Sequence, residues 1–223
     1  MFRPVFAAFF VVCLSACAGG PANLGELKTQ VTAYHASGAY DRDLAAMDAS
    51  AEAWVRGNAT RAARPALVLD IDETSLTNWP QIAANDFGYI PGGACDALPA
   101  GPCGSTAWEL SARAAVIAPT LALFNTAKAL GVAVFFITGR PETERDATAK
   151  NLRAAGYDGW AGLTLKPVGM HVASAADYKS AERAKIEAQG YTIIANVGDQ
   201  PSDLAGGHAS RTFLLPNPFY RIP

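Results

Sequence analysis

The stretch Pro65-Ala66-Leu67-Val68-Leu69-Asp70-Ile71-Asp72-Glu73-Thr74 decides how this chain folds. Four apolar residues in a row, with a proline before them and acids after, read as a strand buried on both faces that emerges at its carboxyl edge. Open α/β sheets bind their ligands at that edge. Two aspartates placed there repel each other and are costly to desolvate, so they imply a cation, a proton or catalytic work.

Downstream of this strand, residues Leu76 to Arg113 break the pattern with Asn, Pro, Gly, two cysteines and several aromatics, and read as an inserted cap. Regular alternation then resumes. A helix is expected from Pro119 to Leu130, with Leu121, Phe124, Ala127 and Leu130 as its apolar stripe and Gly131 as its stop. The strand Val132 to Ile137 runs into Thr138-Gly139-Arg140, and Pro141 is expected to open a helix that continues to Ala155, before Gly156. A short strand near Leu163 to Leu165, a helix Asp177 to Ala188, and strands Thr192 to Val197 and Thr212 to Leu215 complete the series. Upstream, Leu24 to Ala33 and Asp41 to Arg56 read as packing helices, the second with Leu44, Met47, Ala51, Trp54 and Val55 on one face. The expected fold is α/β: a doubly wound, Rossmann-like parallel sheet of about five strands, helices on both faces, and a small cap inserted after the first strand. Residues 18–64 form a tether and helices, and residues 65–223 form the main domain with the cap at 76–113.

The 223 residues fit one medium domain with a full core. A formal net charge of -2 without basic runs argues against a nucleic-acid polymer as partner, because backbone binding needs clustered Lys and Arg. A small molecule fits better. Arg3 followed by the apolar run Val5 to Ala16 has the charge and length of a signal sequence and is too short to span a bilayer as a helix. The chain is therefore expected to be exported. Leu14-Ser15-Ala16-Cys17 resembles the bacterial lipobox, which makes residues 1–17 a lipoprotein signal and Cys17 the acylated residue. Ala18 after the cysteine, with no aspartate there, resembles lipoproteins sorted to the outer membrane. Ordinary cleavage after Ala18 is the competing reading, with a periplasmic product. Cys95 and Cys103 are then the cysteines left in the folded part, and an oxidising compartment favours a disulfide between them. Closing so short a loop stabilises by about 2 kcal/mol.

Four short motifs stand at the ends of expected elements: Asp70-x-Asp72-x-Thr74, Thr138-Gly139-Arg140, Lys179, and Gly198-Asp199-Gln200-Pro201-Ser202-Asp203. Each is weak alone. In this order and these positions they resemble the haloacid dehalogenase superfamily of phosphotransferases, from Pro65 to the end of the chain. Finer detail is similar to the acid phosphatases of bacterial outer-membrane lipoproteins and plant vegetative storage proteins. The stretches that carry it are Asp70 to Leu76, Phe135 to Arg140, Tyr178-Lys179-Ser180, Gly198-Asp199-Gln200, Leu215-Pro216-Asn217-Pro218 and Tyr34-His35-x-Ser37-Gly38.

Phosphoryl transfer needs a nucleophile in line with the leaving oxygen and positive charge on the equatorial oxygens. Asp70 fits the nucleophile that forms an aspartyl-phosphate, and Asp72, two residues on, fits the general acid and then the base. Asp70 and Asp199, from strands expected to be neighbours, supply oxygens for a hard cation with octahedral preference, and Mg²⁺ is the natural choice. The resemblance implies that Asp72 joins that shell through its main chain. Asp203, four residues after Asp199, is expected to hold a metal-bound water. Thr138 and the Gly139 N–H are expected to grip a phosphate oxygen, and Lys179 to offset its charge against Asp70. Lys185 and Lys166 are the competing lysines.

Arg140 reads as a structural partner for Glu142 or Glu144 and stays outside the catalytic set. His35, His171 and His208 lack ligand spacing and read as structural or surface groups. Trp79, Phe87, Tyr89 and Trp108 read as a small core of the cap, with base or aryl stacking as the alternative. The function expected is a magnesium-dependent acid phosphatase acting on small phosphomonoesters, nucleoside monophosphates among them by resemblance. A non-catalytic storage protein on the same fold and a phosphotransferase are the alternatives.

Overall fold

A computed structural model describes residues 21–170 and 172–222. The signal segment, Cys17 and His171 lie outside the described residues. Two helices come first, α1 (Leu24–Ala36) and α2 (Ala39–Asn58). The central strand β1 (Pro65–Leu69) follows. The segment after it holds β2 (Leu76–Thr77), α3 (Trp79–Ala84), α4 (Ser105–Leu110) and β3 (Ala115–Val116). Then come α5 (Ala118–Ala129), β4 (Ala133–Pro141), a 3₁₀ turn Glu142–Glu144 and α6 (Arg145–Ala154). The chain ends with β5 (Gly162–Lys166), α7 (Ala175–Ala188), β6 (Thr192–Gly198), α8 (Pro201–Leu204) and β7 (Thr212–Leu214).

Five strands form one parallel sheet in the order β5-β4-β1-β6-β7. Every neighbour along the chain is reached by a crossover, so helices cover both faces. Alternation along β1 divides the core: Leu67 and Leu69 face α2 and α5, while Ala66 and Val68 face α7. In β4, Val134 and Phe136 join the first cluster, Phe135 and Ile137 the second. The order places β1 between β4 and β6, so the loops after these three strands meet at one edge.

Local chemistry explains the element ends. Asn23 caps α1 by accepting from the Gly25 and Glu26 N–H groups, and Ser174 caps α7 by accepting from Asp177 N. The buried stripe of α2 is Tyr40, Leu44, Asp48, Ala51 and Val55, so an aspartate occupies a core position. Trp54 Nε1 ties this helix to the sheet through Ile194 O at 2.7 Å. Within the segment after β1, β2 and β3 pair antiparallel, and Cys95 and Cys103 are joined in the expected disulfide.

Two expectations fail here: Leu130, expected on the apolar stripe of α5, is exposed just past its end, and the second concerns Pro141. Pro141 does not open a helix: its backbone stays extended, β4 runs through it, and Pro141 aligns with Lys166 of β5 after a register shift. A proline can end an edge pairing because its missing N–H costs nothing on the unpaired side. Among the described residues no helix is long and apolar enough to cross a membrane.

Candidate active site

Asp70 follows the last residue of β1, and its N–H continues the ladder by donating to Val197 O of β6 at 3.0 Å. Asp199 follows β6, the adjacent strand. Asp203 sits on α8 and turns back towards both. Carboxylate oxygens of Asp70, Asp199 and Asp203 lie within 4.8 Å of one another, and all three residues are buried. Lys179, on α7, places Nζ 2.6 Å from Asp70 Oδ1 and also donates to Asp203 Oδ1. The sequence puts these groups on separate elements, and the sheet order brings them together.

Each acid is held by neighbours. Asp199 Oδ1 accepts from Thr74 Oγ1 at 3.1 Å, and its Oδ2 accepts from Gln200 Nε2 and Asn217 Nδ2, both at 2.7 Å. Asp203 Oδ2 accepts from Gln200 N at 2.8 Å, the reciprocal half of a capping box at the start of α8. Gly198 makes this approach possible, because a Cβ there would stand 2.4 Å from the Asp203 side chain. Arg183, fully buried, anchors the same turn by donating to the carbonyls of Asp203, Ala205 and Gly207.

Charge is unbalanced at this end of the site. Burial drives the proton affinity of Asp70 well up, Lys179 opposes, and Asp203, Asp199 and Asp72 add to the rise. Asp199 is pushed up to about 6 by burial and by Asp203, against the hydrogen bonds from Asn217 and Gln200. Burial alone would lower the proton affinity of Lys179, but Asp70 and Asp203 more than reverse it and keep the ammonium charged. Three carboxylates face one ammonium. Oxygen donors packed this closely, with negative charge in excess, fit a hard divalent cation.

At the other end Asp72 is matched directly by one guanidinium, with the carboxyls of Glu73, Glu109 and Glu144 close by. Arg140 grips Asp72: Nη2 lies 2.6 Å from Oδ1, and Nε reaches Oδ1 and Oδ2 at 3.1 and 3.2 Å. Asn78 Nδ2 adds a bond to Asp72 Oδ1 at 2.9 Å. Burial raises the Asp72 proton affinity, but Arg140 and Asn78 outweigh it and leave the carboxyl below its ordinary value. Thr138 Oγ1 stands 3.4 Å from Asp72 Oδ2 and accepts from Arg140 N at 3.1 Å. Gly139 is exposed, with nothing in the space a Cβ would fill. Thr138 thus stands beside Asp72, and both Thr138 and Gly139 lie within β4 rather than at the helix start expected for them.

The expectation for Arg140 is corrected by this geometry. Its side chain does not pair with Glu142 or Glu144; Glu142 pairs with Arg145 instead. The cause is the extension of β4 to Pro141, which keeps Arg140 on the strand and points it across the edge to Asp72. Two more contributors escaped the sequence reading. Asn217 lies in the quoted Leu215-Pro216-Asn217-Pro218 stretch without an assigned role. Glu73, fully buried at φ 51, accepts from Asn78 N at 2.5 Å and from Tyr220 Oη at 2.7 Å. A left-handed non-glycine residue directly after Asp72 is strain held by its surroundings.

Among the cap aromatics, Trp108 is buried and donates to Asn78 Oδ1 at 2.7 Å, which ties α4 to the residue that holds Asp72. Trp79 stacks on His35 at 3.8 Å between ring centres and meets Phe87 and Phe219. Tyr89 departs from the expected cap core, being 79% exposed. His208 pairs at the surface with Glu187, and Lys185 with Glu182, so both stay outside the site.

Comparisons with known proteins bear on the family and the fold. The family model described as HAD superfamily, subfamily IIIB (acid phosphatase) matches residues 21–223. The stem 28 kDa glycoprotein of Glycine max is 37% identical over 161 residues, covering 70% of this chain and 59% of that protein. Acid phosphatase 1 of Solanum lycopersicum is 34% identical over 160 residues, covering 71% and 60%. The chain therefore spans about three-fifths of the length of these relatives. A class C acid phosphatase from Bacillus anthracis, solved with tungstate bound, shares the fold with a TM-score of 0.68 at 20% identity, over 87% of this chain and 86% of that one.

Proposed function

This chain belongs to the acid phosphatases of haloacid dehalogenase subfamily IIIB, and on that premise we propose that it hydrolyses small phosphomonoesters, 5′-nucleotides among them, in a magnesium-dependent reaction through an aspartyl-phosphate. The observation that carries the proposal is the Lys179 ammonium on Asp70, with Asp199 and Asp203 beside it at the carboxyl edge of the sheet.

Asp70 Oδ attacks phosphorus, and the bond from phosphorus to the ester oxygen breaks. The departing oxygen takes its proton from Asp72. In the second step Asp72 removes a proton from water, the water oxygen bonds to phosphorus, and Asp70 leaves as a carboxylate. Lys179 lowers the repulsion between the phosphate and Asp70, and Thr138 Oγ1 and the Gly139 N–H hold an equatorial oxygen. Arg140 holds Asp72 ionised in the free site. An arriving phosphate dianion competes for the guanidinium and adds negative charge beside Asp72, which raises its proton affinity so that it takes up from solvent the proton it gives to the departing oxygen.

Mg²⁺ would be held by Asp70, Asp199 and the main chain of Asp72, with Asp203 holding a water of its shell, and would supply the positive charge that the acids lack. Retention of Asp70 favours catalysis over the storage role that the vegetative storage proteins of Arabidopsis thaliana bear in name, at 32% and 31% identity. Export and an acyl anchor on Cys17, with the outer membrane as destination, complete the proposal. Their test is the mass of the mature N-terminus: an acylated Cys17 supports the anchor, and a free Gly19 overturns it.

Hydrolysis of an aryl phosphate at mildly acid pH, with Mg²⁺ and with chelator, tests the reaction. The expected result is turnover that chelation abolishes and Mg²⁺ restores. Chelator-insensitive turnover, or full activity in Asp70→Asn, overturns it.

A further inference from the structure

Asp48 lies outside every motif above, yet it is 2% exposed on the apolar stripe of α2. Its Oδ2 stands 2.9 Å from Thr120 Oγ1, and its Oδ1 is buried with no hydrogen-bond partner. Thr120, fully buried on α5, places the same Oγ1 2.6 Å from the carbonyl oxygen of Thr74. Thr74 in turn donates its own hydroxyl to Asp199.

Counting protons decides how this chain is wired. A hydroxyl has one hydrogen, and neither a carbonyl nor a carboxylate can donate. If Asp48 is ionised, Thr120 can serve either Asp48 or Thr74, and one of the two contacts becomes a pair of oxygen lone pairs with no proton between them. Both contacts are satisfied only when Asp48 carries the proton. Asp48 O–H then donates to Thr120 Oγ1, and Thr120 O–H donates to Thr74 O. Neutrality also suits the orphaned Oδ1, since an unpartnered carbonyl oxygen costs less to bury than an unpartnered carboxylate oxygen.

We propose that Asp48 is a protonated positioning residue: a neutral carboxylic acid whose hydrogen, relayed through Thr120, fixes the Thr74 end of the Asp70–Thr74 turn and so the hydroxyl that holds Asp199. This rests on the phosphatase reading only for its catalytic consequence. The surroundings favour the neutral form. Burial, less the Thr120 hydrogen bond and with a small addition from Glu52, pushes the Asp48 carboxyl up to about 7. Glu52 lies on the same helix and carries Arg56 as its ion pair, while Tyr157, which donates to Ser75 O at 3.1 Å, faces Asp48 from the segment after α6. The other partners that α5 and the turn present are the neutral Thr120 and Thr74.

The sign of the pH effect follows. Below pH 3.8 the carboxyl is neutral folded and unfolded alike; between 3.8 and about 7 only the unfolded chain ionises, so stability drains as pH rises through that window. Asp48→Asn keeps a donor towards Thr120 and cannot ionise. Asp48→Ala removes the donor.

The test measures the urea midpoint of the full chain, wild type, Asp48→Asn and Asp48→Ala, at pH 4 and pH 8, together with pH profiles of kcat/KM for an aryl phosphate. The expected result is that Asp48→Asn gains on wild type as pH rises between the two values, whereas Asp48→Ala lies below both at pH 4. In activity, Asp48→Asn stays within about twofold of wild type in acid and loses less above pH 7, while Asp48→Ala falls about tenfold, the scale of one lost buried hydrogen bond. A constant midpoint difference between wild type and Asp48→Asn means that Asp48 does not titrate in this window and overturns the proposal. So does an Asn variant no better than Ala. The urea arm needs no turnover, so a chain inert towards every phosphate ester would sink the phosphatase reading and leave Asp48 to be judged by its stability alone.

Discussion

The Lys179 end and the Arg140 end of the site use the same residue types to opposite effect. At the first, Asp70 and Asp203 share one ammonium with Asp199 beside them, and all three acids are buried. At the second, one carboxylate, Asp72, meets one guanidinium and is partly open, its side chain 24% exposed. The first end has a charge deficit that burial makes expensive, which is the condition for holding a divalent cation and attracting phosphate. The second end is neutral as a pair and open enough to pass protons to a leaving group and from water. Under the proposed mechanism, anion binding and proton movement are divided between two strand ends, β1 with β6 on one side and β1 with β4 on the other.

The largest effect that tests this division is at Asp70. Replacing it with Asn removes the proposed nucleophile and should cut kcat on the order of 10⁴-fold or more at saturating Mg²⁺, the scale of losing a covalent catalyst. Trapping phosphate on the protein from a fast-quenched wild-type reaction, and finding none on Asp70→Asn, checks it. Substantial turnover by the variant would mean that the Lys179 end binds without reacting.

Lys179→Met sharpens the comparison from the opposite sign. It strips the ammonium from two buried acids, which should cost about 3–5 kcal/mol of stability. Added Mg²⁺ should recover part of that loss by replacing the charge, while kcat/KM stays down because phosphate loses its point of attraction. Urea titrations with Mg²⁺ and with chelator measure the recovery, and a Mg²⁺-independent deficit would break the idea that this end is built around a cation. The same substitution logic at the second end predicts a different response. Arg140→Ala frees Asp72, leaves burial to raise its carboxyl, and should move the Asp72 limb of the pH–rate profile to higher pH with a loss of about tenfold to a hundredfold in kcat/KM. Because Arg140 holds that carboxyl below its ordinary value, the pair stabilises the fold above the unfolded carboxyl's pKa of 3.8, and that stability is lost as pH falls through the lower folded value. Arg140→Ala should therefore flatten the acid end of the stability curve.

The two ends were not equally legible in the sequence. The Lys179 end was visible because its acids sit at strand or helix ends, where short motifs such as Gly198-Asp199 stand out and the sheet order follows from α/β alternation. The Arg140 end was misread because local spacing pointed the other way: Glu142 and Glu144 are nearer in sequence, and Pro141 looks like a helix start. The pairing with Asp72 depends on β4 continuing past Ile137 through a register shift, which no local propensity encodes. Asn217 and Asp48 were hidden for a related reason. Each acts on the site from a distant segment, one through Asp199 and the other through two threonines, and a lone polar residue carries no periodic signal.

The smallest effect separates the ends by their dependence on the cap. Cys103 presents its N–H and carbonyl to the Asn85 side chain, both at 2.8 Å, and α4 follows directly after it. From α4, Trp108 donates to Asn78 Oδ1, and Asn78 Nδ2 donates to Asp72. The disulfide Cys95–Cys103 is thus linked to the Arg140 end by protein contacts, whereas Lys179, Asp199 and Asp203 rest on α7, β6 and α8. Replacing both cysteines with serine should lower stability by about 2 kcal/mol through the freer unfolded loop. Once folded, the variant should show a modestly raised KM and an altered Asp72 limb, with the Mg²⁺ concentration for half-maximal activity unchanged. Side-by-side Mg²⁺ and pH titrations of this variant decide the matter: a shift in Mg²⁺ dependence would show that the cap supports both ends and that the division between them is not carried by separate scaffolds.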